Sequence, residues 1–291
     1  MTDIPGWKPG DPIRVLPYGQ SKVGKTFGAG TFPRPCYMDF DRGIGTVFSP
    51  DFIDIYGYRD ILYREFYERS FQGPIVKAHN AYDDACRYFD EMMGAEKRKS
   101  FDTWVIDSGT TLSEDAQNKA VILLGTKDYG FMSKTHEQAL RHNLLVPKIQ
   151  DYGAERSLVE QFVDMVLSTD KNVVFICHEY AATDEAGNVV AVEPLLTGKS
   201  RQAIPLRFDE VYWIRARREG MSWKRVCTTQ PDGLHLVGSR NGVKDGIQWS
   251  YADIRQALVD AYEKRITQIT AAKAATSQTG QSATPAIAKA V

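Results

Sequence analysis

Cysteine is scarce in this sequence and never clustered. Cys36, Cys86, Cys177 and Cys227 stand far apart, with no C-x-x-C pair. That argues against a disulfide framework and against the common zinc spacings. Cys36 and Cys177 sit in apolar runs and read as reduced thiols in buried strands. Charge of one sign is also missing: 36 Lys and Arg face 37 Asp and Glu. No global positive field draws the chain to nucleic acid or to a membrane, so any nucleic-acid contact must come from a local patch. No apolar run approaches the roughly 20 residues that span a bilayer. The opening Met1-Thr2-Asp3-Ile4-Pro5-Gly6 lacks the charged and apolar regions of a signal peptide, and a cytoplasmic protein is expected. What remains is a 291-residue chain, 43% hydrophobic and 25% charged, without an internal repeat. Its composition is that of a globular protein with room for one large α/β domain or two small ones.

One short stretch carries a specific signal. Gly19-Gln20-Ser21-Lys22-Val23-Gly24-Lys25-Thr26 fits G-x-x-x-x-G-K-[ST] at every fixed position. Such a loop needs a strand before it and a helix after it. Ile13 to Tyr18 supplies the strand, and a short helix after Lys25 is ended by Pro33 and Pro35. The motif therefore predicts a phosphate-binding loop for ATP, formed by Gly19, Gln20, Ser21, Lys22, Val23, Gly24, Lys25, Thr26 and Phe27. Lys25 would reach the β- and γ-phosphates, and the Thr26 hydroxyl would ligate Mg²⁺.

Such a loop requires metal-binding and water-orienting partners elsewhere in the chain. Phe101-Asp102-Thr103-Trp104-Val105-Ile106-Asp107-Ser108 is an apolar strand ending in a carboxylate, so Asp107 is expected to join Thr26 in holding Mg²⁺; a simple turn cap with Ser108 is the plainer alternative. Cys36 to Phe40 reads as a second strand closed by Asp39 and Asp41, which alternation puts on one face. Asp41 is the favoured group to orient the attacking water, with Glu179 as its rival. Val173 to Cys177 is a strand ending at His178-Glu179, and His178 is a candidate sensor of the γ-phosphate. Thr197-Gly198-Lys199-Ser200-Arg201 offers a cation for transition-state charge.

Further elements follow from periodicity and turn chemistry. Residues 1–12 read as an irregular arm and 52–57 as a third strand. Ala81 to Met93 and Glu155 to Leu167 have helical spacing, and 110–150 reads as helical pieces and loops. Turn residues at 183–188 predict a hairpin into Val189 to Val192. Val211 to Ala216, Ser222 to Thr228 and Leu234 to Val237 read as short strands, and Tyr251 to Ile266 as a helix. Residues 267–291 are poor in large apolar groups and read as a disordered tail, which could recruit a single-strand-binding or replication protein. Trp213-Ile214-Arg215-Ala216-Arg217-Arg218 and Trp223-Lys224-Arg225 interleave cations with aromatics, as single-strand binders do. The simpler reading is a hairpin with one core face and one charged face.

These blocks taken in order resemble phage-encoded RecA-like P-loop ATPases of the AAA type, the group that includes single-strand-annealing recombinases. The resemblance rests on GQSKVGKT, TFPRPCYMDFD, FDTWVIDS, QDYGAERSLVEQFV, FICHE and PLLTGKSRQAIPLRFDEVYWI, and covers roughly residues 12–260. It implies an α/β RecA-like core over 13–266, with a twisted, mainly parallel sheet flanked by helices and a β-rich C-terminal part. It implies ATP, Mg²⁺ and a nucleotide held between subunits of a ring or filament. Lys25, Thr26 and Asp107 carry over as its loop and metal residues. His178 falls at the sensor position, and Lys199 or Arg201 would act on a neighbour's nucleotide. Asp41 departs from the glutamate usual there, which puts fast turnover in question. The implied function is ATP-dependent action on single-stranded DNA in recombination or replication, in the cytoplasm of a host cell. A nucleotide-gated scaffold with little turnover is the alternative. A small-molecule phosphotransferase would need an arginine-rich lid that the sequence does not offer.

Overall fold

The computed structural model describes residues 6–66, 80–125, 149–220 and 222–280. Their strands are β1 (Arg14–Gly19), β2 (Pro35–Asp39), β3 (Leu62–Glu65), β4 (Thr103–Asp107), β5 (Asn172–Thr183), β6 (Val189–Pro194), β7 (Glu210–Glu219), β8 (Ser222–Thr228) and β9 (Gly238–Ser239). The helices are α1 (Lys25–Ala29), α2 (Pro50–Tyr56), α3 (Ala81–Met92), α4 (Gly109–Gly125), α5 (Ile149–Leu167), α6 (Ser200–Ala203) and α7 (Tyr251–Gly280).

Every residue of β2 and β4 is buried. Strands covered on both faces lose the alternating pattern, which is why these two read as unbroken apolar runs. Alternate side chains divide between two cores. Leu16, Met38, Trp104, Ile106 and Phe175 face one, against Phe89, Leu112 and Phe162 of α3, α4 and α5. Val15, Tyr37, Val105, Val174 and Ile176 face the other, against Phe27, Phe52 and Leu258 of α1, α2 and α7. The result is helix, sheet and helix in three layers. Among the described residues the sheet runs β3-β2-β4-β5-β1-β7-β8, with β6 on β5 and β9 on β7. The pairs from β3 across to β7 are parallel, and the remaining pairs are antiparallel. The expected fold class, including the β-rich C-terminal part, is therefore the one observed.

Register places the chemistry. Gly19 lies beside His178, and Asp39 beside Asp107. All four mark the same edge of the sheet, where ligands of open α/β sheets bind.

Several elements depart from expectation. Residues 52–57 belong to helix α2 rather than to a strand. Ser49 caps it by accepting from the Phe52 N–H, Pro50 occupies its first turn, and Gly57 follows its end at φ +75°. The third strand is instead Leu62–Glu65. β5 does not stop at Cys177; it continues to Thr183 as one arm of the expected hairpin with β6. Leu234 to Val237 is not a strand, because Asp232 accepts from the N–H groups of Leu234 and His235 and holds a turn there. Residues 6–12 are irregular, yet they are pinned. Trp7 is buried, its N–H donates to Asn241, and its carbonyl accepts from Arg265.

Helix α7 also runs past Ile266 to Gly280, so 267–280 is not the disordered segment expected. Ile254 and Leu258 anchor the helix in the core. Alanine-rich sequence then extends it at little cost, since the nucleus is already formed. Residues 281–291 lie outside the described residues.

The start of α7 is locked to α1. The Trp249 indole N–H donates to the Lys25 carbonyl (2.8 Å), and the Tyr251 N–H donates to Thr31 Oγ1 (2.8 Å). A Cβ at Gly28 would lie 2.0 Å from Trp249 Cδ1 and 2.5 Å from its carbonyl oxygen. Gly28→Ala is therefore expected to destabilise the protein by about 1–3 kcal/mol through overpacking, read from the urea midpoint. An unchanged midpoint would refute this close approach.

Candidate active site

The loop between β1 and α1 alternates unusual backbone conformations. Lys22 has φ 66° and Gly24, at the N-cap of α1, has φ 92°. Left-handed residues in such a turn build concavities of N–H groups that bind anions. Glycine at 24 is required, because a Cβ there would be strained by φ and would strike Arg225. Lys25 is buried at 6% exposure, and its Nζ donates to the carbonyls of Gly19 (2.8 Å) and Gln20 (2.7 Å). Burial lowers its pKa to about 8, against the opposing pull of Asp107.

Thr26 faces Asp107 across the strand ends, its hydroxyl donating to Oδ2 at 2.6 Å. Burial raises the Asp107 carboxyl to about 7. Thr26 opposes the shift, and the charges of Asp41 and Asp39 add to it. A hydroxyl and a carboxylate this close form an all-oxygen pair suited to Mg²⁺, which takes few protein ligands and shares the rest with phosphate and water. Among the described residues no cluster of three or more His, Cys, Asp or Glu side chains forms a separate metal cage.

Asp39 and Asp41 do not share a face, because β2 ends at Asp39 and the chain turns. Asp39 is buried and accepts from the N–H groups of Asp41 (3.2 Å), Gly43 (2.9 Å) and Ile44 (2.9 Å). It shapes the turn that presents Asp41. Asp41 itself meets His178 Nε2 at 3.0 Å and accepts from the Thr111 hydroxyl. Burial would raise its pKa, but hydrogen bonds from His178, Thr111 and Ser108 outweigh that and hold it below the usual value. Thr110 Oγ1 accepts from the His178 backbone N–H (3.0 Å) and so ties the start of α4 to β5.

These groups open on one cleft of about 560 Å³, the size of a small-ligand site. Ser21, Lys22, Gly24, Lys25, Thr26 and Phe27 line it with Asp41, Asp107 and His178. The other expected loop residues serve indirectly. Gly19 and Gln20 hold Lys25 by their carbonyls, and Val23 packs toward the core. Glu179 does not line the cleft; it accepts from the Trp213 indole at 2.8 Å. Lys199 is exposed at the start of α6. Arg201 lies 3.7 Å over the Tyr180 ring and 3.9 Å from Glu193. Neither lines the cleft of its own chain.

Trp213 is unsuited to base stacking, since its ring already stacks on His235 at 3.9 Å between centroids. Trp223 is 62% exposed. Of the region 110–150, residues 126–148 lie outside the described residues. Sequence reasoning missed Thr110 and Thr111, although they directly follow the Asp107 strand. It also read Arg225 as a nucleic-acid contact, whereas that side chain lines the cleft.

The Asp107 shift has a consequence for the ligand-free protein. The folded state favours the protonated carboxyl, so this contribution to stability is full below about pH 3.8 and is lost as pH rises through about 7. Urea midpoints are expected to fall between about pH 4 and 7 more steeply in wild type than in Asp107→Asn. Equal slopes would contradict the burial of this carboxyl.

No curated protein matches the chain by sequence. Among solved structures, the flagellar accessory protein FlaH from Methanocaldococcus jannaschii is similar at 10% identity and TM-score 0.36, over 82% of this chain and 84% of that one. A KaiC-like protein from Pyrococcus horikoshii OT3 is similar at 11% identity and TM-score 0.34, over 75% of this chain and 78% of that one. No residue assignment rests on either likeness. The AAA domain family matches residues 11–240, well over half of the chain. With the glycine loop following β1, its Thr26 paired to Asp107 on β4, and the cleft at the strand ends, the chain belongs to the AAA domain family.

Proposed function

We propose that this protein hydrolyses ATP with Mg²⁺ and acts on single-stranded DNA in recombination or replication, as an oligomer. The observation that carries the ATPase reading is the convergence of Lys25, Thr26, Asp107, Asp41 and His178 on one cleft. The loop N–H groups and Lys25 bind the phosphates and offset the charge that develops on them. Thr26 and Asp107 would hold Mg²⁺, which when bound neutralises phosphate charge. Asp41 accepts a hydrogen bond from the attacking water and takes its proton as the bond to the γ-phosphorus forms and the bond to the bridging oxygen breaks. His178 holds Asp41 and would relay the state of the γ-phosphate into β5 and its hairpin. Lys199 or Arg201 would reach the cleft of a neighbouring subunit.

The DNA reading is supported by the β7–β8 hairpin, where Arg215, Arg217 and Arg218 are exposed beside Trp223. Cations with an exposed ring hold single strands through phosphates and stacking. The phage-encoded annealing-recombinase group and the host cytoplasm belong to the same proposal. A second reading, the nucleotide-gated scaffold, is favoured by one observation: Asp41 is already held by His178 and Thr111.

ATP turnover measured with and without single-stranded DNA tests both readings. The proposal expects Mg²⁺-dependent hydrolysis that DNA accelerates. Lys25→Ala is expected to abolish it, and Asp41→Asn to lower kcat by about 10²–10⁴-fold while ATP still binds. Binding without turnover, indifferent to DNA, would overturn it in favour of the scaffold.

A further inference from the structure

Arg225 lines the cleft beside the phosphate loop, and the proposed mechanism leaves its charge unused. It lies on β8 opposite Ala216 of β7, and its carbonyl accepts from the Trp249 N–H at 2.8 Å. The backbone is thus fixed by the same residue that clamps α1. The side chain turns from the sheet edge onto the loop. Its guanidinium stands 3.8 Å over the Phe27 ring. Its Nε lies only 1.9 Å from where a Cβ on Gly24 would be. Among the described residues no carboxylate lies within ion-pair distance of it, and no hydrogen bond from its guanidinium is found. Tyr56 and Asp51 of α2, the latter on the same cleft, act on it only through longer-range charge. Burial lowers its pKa. A half-buried cation that meets only a ring keeps its donors for an anion, which would offset the cost of burying it.

The helix geometry says which part of a nucleotide it meets. Gly24, the N-cap of α1, and Phe27 in its first turn both lie against the Arg225 side chain. Thr26, about 100° away from Phe27, looks toward Asp107. Arg225 therefore approaches the loop from a face other than that of the metal pair. Its planar donors suit a phosphate oxygen, and stacking on Phe27 holds the plane in place.

We propose that Arg225 is a binding residue for the nucleotide in its own chain, contacting the α-phosphate and ribose end, while Lys25 takes the β- and γ-phosphates and Thr26 and Asp107 would hold their Mg²⁺. The proposal rests on the cleft being the ATP site. It also removes Arg225 from the DNA-binding cations of the β7–β8 hairpin.

The test is equilibrium binding of ATP, ADP, inorganic tripolyphosphate and single-stranded DNA to wild type, Arg225→Ala, Arg225→Lys, Lys25→Ala and the exposed control Arg255→Ala on α7, with unfolding midpoints confirming that each variant is folded. Arg225→Ala is expected to weaken ATP and ADP by about 10–100-fold, the loss of a charge-assisted contact, and tripolyphosphate by less than about threefold. Arg225→Lys, which keeps the charge and covers Phe27 without the planar fork, is expected to fall between. Lys25→Ala should lose ATP, ADP and tripolyphosphate, and Arg255→Ala none of them. Unchanged ATP and ADP affinity in Arg225→Ala would overturn the inference, as would an equal loss of tripolyphosphate. Weakened DNA binding with intact nucleotide binding would return Arg225 to the hairpin's surface. An unchanged Lys25→Ala would instead sink the ATP-site reading itself.

Discussion

A carboxylate buried at the end of a strand sets the terms for the rest of this site. Asp107 is 4% exposed, and Thr26 meets it at 2.6 Å. A buried charge must be paired, hydrogen-bonded or neutralised. Here the hydroxyl of α1 and the ammonium of Lys25 share that task, and the carboxyl is still pushed up to about 7. The pair holds only if β1 and β4 present their ends at the same edge, with β5 between them, and if α1 starts where the loop turns. The two cores supply that rigidity. Gly28 lets Trp249 approach α1 from behind, so the short helix is fixed from both sides.

The local chemistry of the site was largely legible in the sequence. The loop spacing named Lys25 and Thr26, and an apolar run ending in a carboxylate named Asp107. Fully buried strands such as Thr103–Asp107 are plain because nothing polar interrupts them. The same logic placed His178 at a strand end, although β5 continues past it as a hairpin arm. Strand alternation failed for Asp39 and Asp41 because it applies only inside a strand. One aspartate caps the turn and the other enters the cleft, and the capping bonds of Asp39 could not be read from composition. Residues 52–57 were misread on apolar content, although Ser49-Pro50-Asp51 and Gly57 carry ordinary helix start and stop signals.

What stayed hidden depends on tertiary neighbours. Arg225 lies about 200 residues from the loop, and only the pairing of β7 with β1 and β8 brings it there. Trp213 is occupied by His235 and Glu179, partners that its own sequence neighbourhood does not reveal. The end of α7 was read as disordered because it buries little. A helix already nucleated by Ile254 and Leu258 needs only alanine-rich propensity to continue.

The central claim is that Thr26 and Asp107 form the metal side of an ATP cleft. It is tested most directly by measuring ATP affinity of wild type and Thr26→Ala with Mg²⁺ and with chelator. The account predicts that Mg²⁺ tightens ATP binding in wild type, and that Thr26→Ala in Mg²⁺ falls to about the level of wild type in chelator. Equal affinities in all four conditions would contradict it.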